Sequence, residues 1–147
     1  MTELSKNFTD SEFVCPCCNG GIVSEMLIAK LQELRDLINK PIIVTSGYRC
    51  QQYNKSIGGY ANSPHCEGLA ADIYCKSVNI YDLAGRADLI FPRIGIYPDN
   101  NFIHVDIVKP HPSKFWVRHN GKYKYFKPPY NHYDSVMFYL IEKGFVR

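Results

Sequence analysis

Residues 93–107 read Arg93-Ile94-Gly95-Ile96-Tyr97-Pro98-Asp99-Asn100-Asn101-Phe102-Ile103-His104-Val105-Asp106-Ile107. Two short runs rich in β-branched and aromatic residues flank a Pro-Asp-Asn-Asn cluster, the pattern of two strands joined by a turn. Strands joined so closely pair antiparallel, whereas a parallel pair needs a long crossover. The second run carries chemistry as well. Residues i and i+2 of a strand share a face, so His104 and Asp106 point one way, and Ile103, Val105 and Ile107 the other. Two polar groups aimed together from a central-looking strand mark a candidate site; the alternative is a strand face turned to solvent.

Working outward, Ile42-Ile43-Val44-Thr45 reads as a buried strand and Leu69–Tyr74 as another. Phe115–Arg118 and Lys122–Phe126 flank His119-Asn120-Gly121, a strong hairpin signal. Leu27, Leu31, Leu34 and Ile38 fall on one helical face behind Ser24 as N-cap, and Pro41 closes that segment. Further helices are expected over about 80–89 and about 134–143, the latter ending at Gly144. The opening to Gly21 reads as irregular, and residues 50–68 as a long loop, a kind that usually carries function in a compact domain. The expected class is α+β, a central antiparallel sheet flanked by helices. One domain is expected over 1–147, with an irregular segment 1–22, a core about 23–118 and a C-terminal hairpin and helix about 113–147.

The length of 147 residues suits one domain with a real core. At 46% hydrophobic and 21% charged residues, disorder, collagen and coiled coil are excluded. Seventeen basic against 14 acidic residues leave +3, too little to argue for nucleic acid. No apolar run approaches the ~18 residues of a membrane span, so no membrane insertion is expected. Met1–Asn7 has no apolar run behind its charges, so no secretory signal is read there. The chain is read as a monomer made in the cytoplasm.

Six cysteines stand at 15, 17, 18, 50, 66 and 75. Without a secretory signal, reduced thiols are the default. Disulfides formed after release and a structural metal are the alternatives. Cys15-Pro16-Cys17-Cys18 is tighter than the usual C-x₂₋₄-C half of a zinc site.

The most informative stretch outside the hairpin is Ser63-Pro64-His65-Cys66-Glu67-Gly68-Leu69-Ala70-Ala71-Asp72. Gly68 permits a tight turn between His65 and the strand that carries Asp72. Asp72 has apolar neighbours, so its carboxylate is expected to be buried and to need a partner. Backbone N–H groups are one answer. With His104, the three residues form a two-His, one-carboxylate set that leaves zinc an open position, the catalytic arrangement. Arg49 emerges from the end of a strand and suits a substrate carboxylate or a developing oxyanion; a structural ion pair is the alternative.

Ser46-Gly47-Tyr48-Arg49, Tyr53-Asn54, Ile57-Gly58-Gly59, the string Ser63-x-His65-x-x-Gly68-x-Ala70-x-Asp72 and Ile103-His104-Val105-Asp106 together resemble the zinc D-Ala-D-Ala carboxypeptidase family. That family includes vancomycin-resistance dipeptidases and many phage endolysins, and shares a core fold with the hedgehog signalling domain. The likeness spans roughly residues 7–118 and includes the opening Asn7–Phe13. The resemblance implies one zinc ion held by His65, Asp72 and His104. It implies a substrate contact for Arg49 and for Ser63, and cleavage of peptide bonds at or near D-amino acids in peptidoglycan stem peptides. It further implies a phage or prophage lysis or virion-associated enzyme, acting on the wall after release or as part of a virion.

In one respect the chain departs from the family. An acidic base is expected three residues before the third histidine, where Asn101 stands. Asp106 is the expected substitute and Asp99 the second choice; Asp106 as ligand with His104 as base is a third arrangement. Glu67, between two candidate ligands, is read as a solvated loop acid, with an approach to the metal as the alternative, and His111, His119 and His132 are read as surface or packing residues. The aromatic tail from Trp116 to Tyr139 is read as core and rim, or as a wall of a substrate groove. Two other functions compete: an inactive zinc-containing module that binds cell wall or builds a virion, and a metal-free structural domain.

Overall fold

A computed structural model describes residues 1–110 and 113–147; the reading of His111 lies outside the described residues. A small hairpin opens the chain, β1 (Glu3–Ser5) and β2 (Phe8–Thr9), followed by a 3-10 turn over Asp10–Phe13. The opening is therefore not irregular throughout, and a signal for it was present: the Glu12 carboxylate accepts the Thr9 N–H at 2.7 Å, half of a capping box. Helix α1 (Glu25–Ile38) starts where Ser24 Oγ accepts from the Met26 and Leu27 amides. It ends at Asn39, in the left-handed conformation, before Pro41 is reached.

Strand β3 (Ile43–Ser46) follows, then α2 (Gln51–Ser56), a 3-10 turn over Pro64–Glu67 and β4 (Ala70–Tyr74). Two expectations are corrected here. The segment 50–68 is not one loop: α2 is capped by the Cys50 sulfur, which accepts from the Tyr53 amide at 3.4 Å. Nor is β3 a buried strand, because it lies at a sheet edge with Ile43 and Val44 half-buried and Thr45 exposed. The rest runs α3 (Ile80–Ala87), β5 (Arg93–Tyr97), β6 (Phe102–Asp106), β7 (Phe115–His119), β8 (Lys122–Phe126) and α4 (Tyr133–Glu142). None of the described helices is long and apolar enough to cross a membrane.

Among the described residues the main sheet has six strands in the order β3-β4-β6-β5-β7-β8. Every pairing is antiparallel except β5 with β7, which run parallel. The α+β class read from the sequence is the class observed. Alternation divides the sheet into two faces. Ile73, Ile94, Ile96, Ile103, Val105, Phe115 and Val117 are buried in one cluster with Leu27, Leu31 and Leu34 of α1, Leu83 of α3 and Leu140 of α4.

The opposite face carries a row of residues in direct register across all six strands: Ser46, Asp72, His104, Gly95, Trp116 and Tyr125. Gly95 is required in that row because a Cβ there would overlap the Trp116 indole. Gly95→Ala is accordingly expected to displace Trp116 and to cost about 1–3 kcal/mol by overpacking. Denaturant unfolding followed by tryptophan fluorescence measures both effects.

Candidate metal centre

His65 is set by its turn. Ser63 Oγ accepts the His65 amide at 3.2 Å, Pro64 opens the turn and Gly68 closes it at φ +71°. A Cβ on Gly68 would overlap the Ile22 carbonyl oxygen, so the backbone passes there only as glycine. Asp72 and His104 are placed by strand register, directly opposite each other on β4 and β6.

The three side chains meet in one triangle. His65 Nε2, Asp72 Oδ1 and His104 Nδ1 lie 3.2 Å from one another on every side. A tetrahedral zinc ion with bonds of 2.0–2.1 Å has ligand–ligand edges of about 3.3 Å. The tautomers agree. His65 Nδ1 lies 2.7 Å from the Gly47 carbonyl, which only accepts, so this nitrogen carries the proton and Nε2 is bare. His104 Nε2 lies 2.7 Å from Asp106 Oδ2 and donates to it, which bares Nδ1. Two bare nitrogens and a carboxylate oxygen, all buried, face one another. Such a set of acceptors is unfavourable unless a cation lies among them, and a divalent metal fits the donors.

In the metal-free chain a proton takes up part of the cation's role. Burial alone would raise the Asp72 carboxyl, but His65 and His104 outweigh it and hold it well below the usual carboxylate range. Burial pulls His104 down, and its bonds to Asp106 and Asp72 more than reverse this, leaving it above the ordinary imidazole value.

A second set of partners holds the first. Arg49 donates from Nη2 to Asp72 Oδ2 at 2.9 Å, from Nε to Ser46 Oγ at 3.0 Å and from Nη1 to Asn54 Oδ1 at 3.3 Å. The structural ion pair weighed for Arg49 is therefore present. Asn54, buried on α2, belongs to the Tyr53-Asn54 motif of the resemblance but had no role assigned from the sequence.

Asp106 stands behind His104, away from the triangle, with no exposed surface. Its oxygens accept from His104 Nε2, from Arg93 Nε at 3.1 Å and from the Val108 amide at 3.0 Å. This corrects the expectation of a base at Asp106, since both its oxygens are already hydrogen-bonded, it is fully buried and it does not line the cavity; the same placement excludes it as a ligand in the triangle. Asp99, the second choice, is engaged elsewhere with His119 Nδ1 at 2.6 Å and the Asn120 amide at 2.8 Å. His132 is exposed at the start of α4.

The triangle opens into a cavity of about 640 Å³. Arg49, Arg93, Arg118 and Lys127 line it, as do Ser63, Trp116 and Tyr97. Glu67 and Asp72 are the carboxylates that line it among the described residues. Tyr60, Tyr123 and Tyr125 form a ledge, with the Tyr60 and Tyr125 hydroxyls 3.2 Å apart and the rings of Tyr123 and Tyr125 stacked at 5.7 Å. The tail thus supplies a cavity wall as well as core. The Arg118 Nε is buried without a hydrogen-bond partner among the described residues. Arg93 and Arg118 carried no motif, although strand parity places them on the face of Gly95 and Trp116.

Against known proteins, the peptidase M15 family profile matches residues 6–106, well over half of the chain. The comparison with curated proteins finds no match. The chain belongs to the peptidase M15 family, a family of zinc metallopeptidases.

Asp106→Asn keeps the shape but weakens the hold on His104, and is expected to lower zinc affinity at this centre about 10–100-fold, measured by competition with a chromogenic chelator. pH acts with a definite sign on the metal-free chain. The lowered Asp72 contributes stability that is lost only on acidification through its depressed value. The raised His104 contributes stability complete below about 6.5 and lost as pH rises through its raised value. Chelated protein is expected to lose melting temperature as pH rises above about 6.5, zinc-loaded protein to resist this, and His104→Ala to lack the difference.

Proposed function

We propose that this M15 family member is a zinc-dependent hydrolase of peptide bonds at or near D-amino acids in peptidoglycan stem peptides. The observation that carries the reading is the buried 3.2 Å triangle of His65, Asp72 and His104 at the base of an open, cation-lined cavity. Zinc held by these residues supplies a Lewis acid that polarises a carbonyl and activates water at neutral pH.

The chain's own residues supply the rest. His65 and His104 keep fixed tautomers through Gly47 and Asp106. Arg49 grips Asp72 through Nη2, is itself braced through Nε on Ser46 and Nη1 on Asn54, and leaves further N–H groups for a substrate carbonyl or carboxylate. Arg118 offers an unpaired buried Nε, and its guanidinium lies 5.5 Å from the Tyr123 ring centre. Stem peptides carry free carboxylates, and a lining with four cationic side chains against Glu67 and Asp72 suits them. Ser63 keeps its hydroxyl proton free to donate while its oxygen caps the turn of His65. Glu67, an exposed carboxylate of the cavity lining, is the candidate we assign to exchange a proton with the reacting groups. The phage and virion setting is part of the proposal and rests on the resemblance.

One observation favours a second reading, a wall-binding module without turnover. Asn101 occupies the position of the family's acidic base, and Asp106 is buried behind His104.

Digestion of purified peptidoglycan, with released peptides identified by mass spectrometry, separates the two. Zinc-loaded protein is expected to free new termini, and His65→Ala to free none above background. Glu67→Gln is expected to lower kcat about 10²–10⁴-fold with zinc content unchanged. Sedimentation with cell walls and no cleavage by the zinc-loaded protein would favour the binding module and sink the hydrolase.

A further inference from the structure

Away from the cavity centre, three thiols from two chain segments meet. The sulfurs of Cys15, Cys18 and Cys50 all lie within 4.8 Å of one another, with Cys15 buried. Cys15 Sγ and Cys50 Sγ are 3.7 Å apart. That is too far for a disulfide, whose S–S bond is about 2.05 Å. It matches the edge of about 3.8 Å of a tetrahedron with Zn–S bonds of about 2.3 Å.

The backbone around the cluster is arranged for sulfur that accepts. The Cys50 amide points at Cys15 Sγ at 3.5 Å. The Gly20 amide reaches Cys18 Sγ at 3.4 Å, and the Tyr53 amide reaches Cys50 Sγ at 3.4 Å. The turn that presents Cys15 and Cys18 is closed by Cys15 N–H to the Gly20 carbonyl at 2.7 Å and Asn19 N–H to the Cys15 carbonyl at 2.9 Å. Asn19 takes φ +61° inside it. Cys15 and Cys18 are themselves a C-x₂-C pair, so the tight spacing around Cys17 does not argue against metal.

We infer that Cys15, Cys18 and Cys50 form a second, structural zinc site, one that ties the N-terminal segment to the strand end carrying Arg49. The three thiols occupy three positions of a tetrahedral ion and leave the fourth to a further donor. Binding releases the thiol protons to solvent and involves no oxidation. The same junction is held by the Tyr48 amide donating to the Phe13 carbonyl at 2.9 Å. Cys50 directly follows Arg49, so a metal at the thiols would brace the residue that grips Asp72. The inference is independent of the peptidase reading.

The test uses the full chain purified under reducing conditions without chelator, with zinc counted by elemental analysis and native mass spectrometry. Two zinc ions per chain are expected, one for each ligand group. His65→Ala/His104→Ala is expected to keep one ion, and cobalt in that variant to give thiolate-to-metal charge-transfer absorption in the near ultraviolet. Cys18→Ser, at an exposed position that spares the core, is expected to lose that absorption and one zinc ion. Cys75→Ser is expected to change neither. Absence of both zinc and the cobalt band from His65→Ala/His104→Ala, with its thiols titrating as reduced, would overturn the inference. So would a Cys15–Cys50 disulfide found by peptide mapping of the purified chain. Neither result bears on cleavage of peptidoglycan, so failure here leaves the peptidase proposal standing.

Discussion

The site depends on the register of β4 against β6. That pairing sets Asp72 opposite His104, and a slip of one residue on either strand would turn one ligand to the other face. What holds the register is the opposite face. Ala71 and Ile73 on β4, and Ile103 and Val105 on β6, are fully buried against the helices. Burying each of the three larger side chains is worth about 1.5–3 kcal/mol, and a slip would bring those side chains to the polar face. The apolar alternation therefore fixes the ligands indirectly. It also offsets the cost of bringing three buried acceptors together when no cation is present.

Register alone leaves each ring and carboxylate free to rotate, and a different element removes that freedom for each ligand. The Gly47 carbonyl at the end of β3 orients His65. Arg49, braced by Ser46 and by Asn54 of α2, orients Asp72. Asp106, anchored by Arg93 of β5, orients His104. Groups of this kind fix both tautomer and direction at metal centres. They also account for how the buried charges are tolerated, since each carboxylate meets a guanidinium and an imidazole.

The three side chains that meet in the triangle and the α+β class were legible in the sequence because both rest on short-range pattern: strand parity for His104, an apolar setting for Asp72, a glycine-closed turn for His65. Asp106 was misread for an instructive reason. Parity says which face a side chain takes but not which of two neighbours lies deeper, and here the deeper one is filled by Arg93 and Val108. Helix α2 was hidden because its cap is a cysteine and its six residues show no apolar period. Arg93 and Arg118 become site residues only through the pairing of β5 with both β6 and β7, and the parallel β5–β7 contact leaves no local signature.

The segment from Ser46 to Cys50 is where these dependencies converge. Within five consecutive residues it supplies the oxygen behind Arg49, the carbonyl behind His65, the guanidinium behind Asp72 and one thiol of the cysteine cluster. Yet it extends from β3, an edge strand with hydrogen-bonded neighbours on one side only. Edge elements are the first to open, so the residues that orient two of the three ligands sit on the least protected strand end. The contact of Tyr48 with Phe13 and the gathering of Cys50 with Cys15 and Cys18 close that open side with the N-terminal segment. On this physical ground the opening residues belong to the site as much as the strands do: they supply no ligand to the triangle, but they hold the chain that positions it.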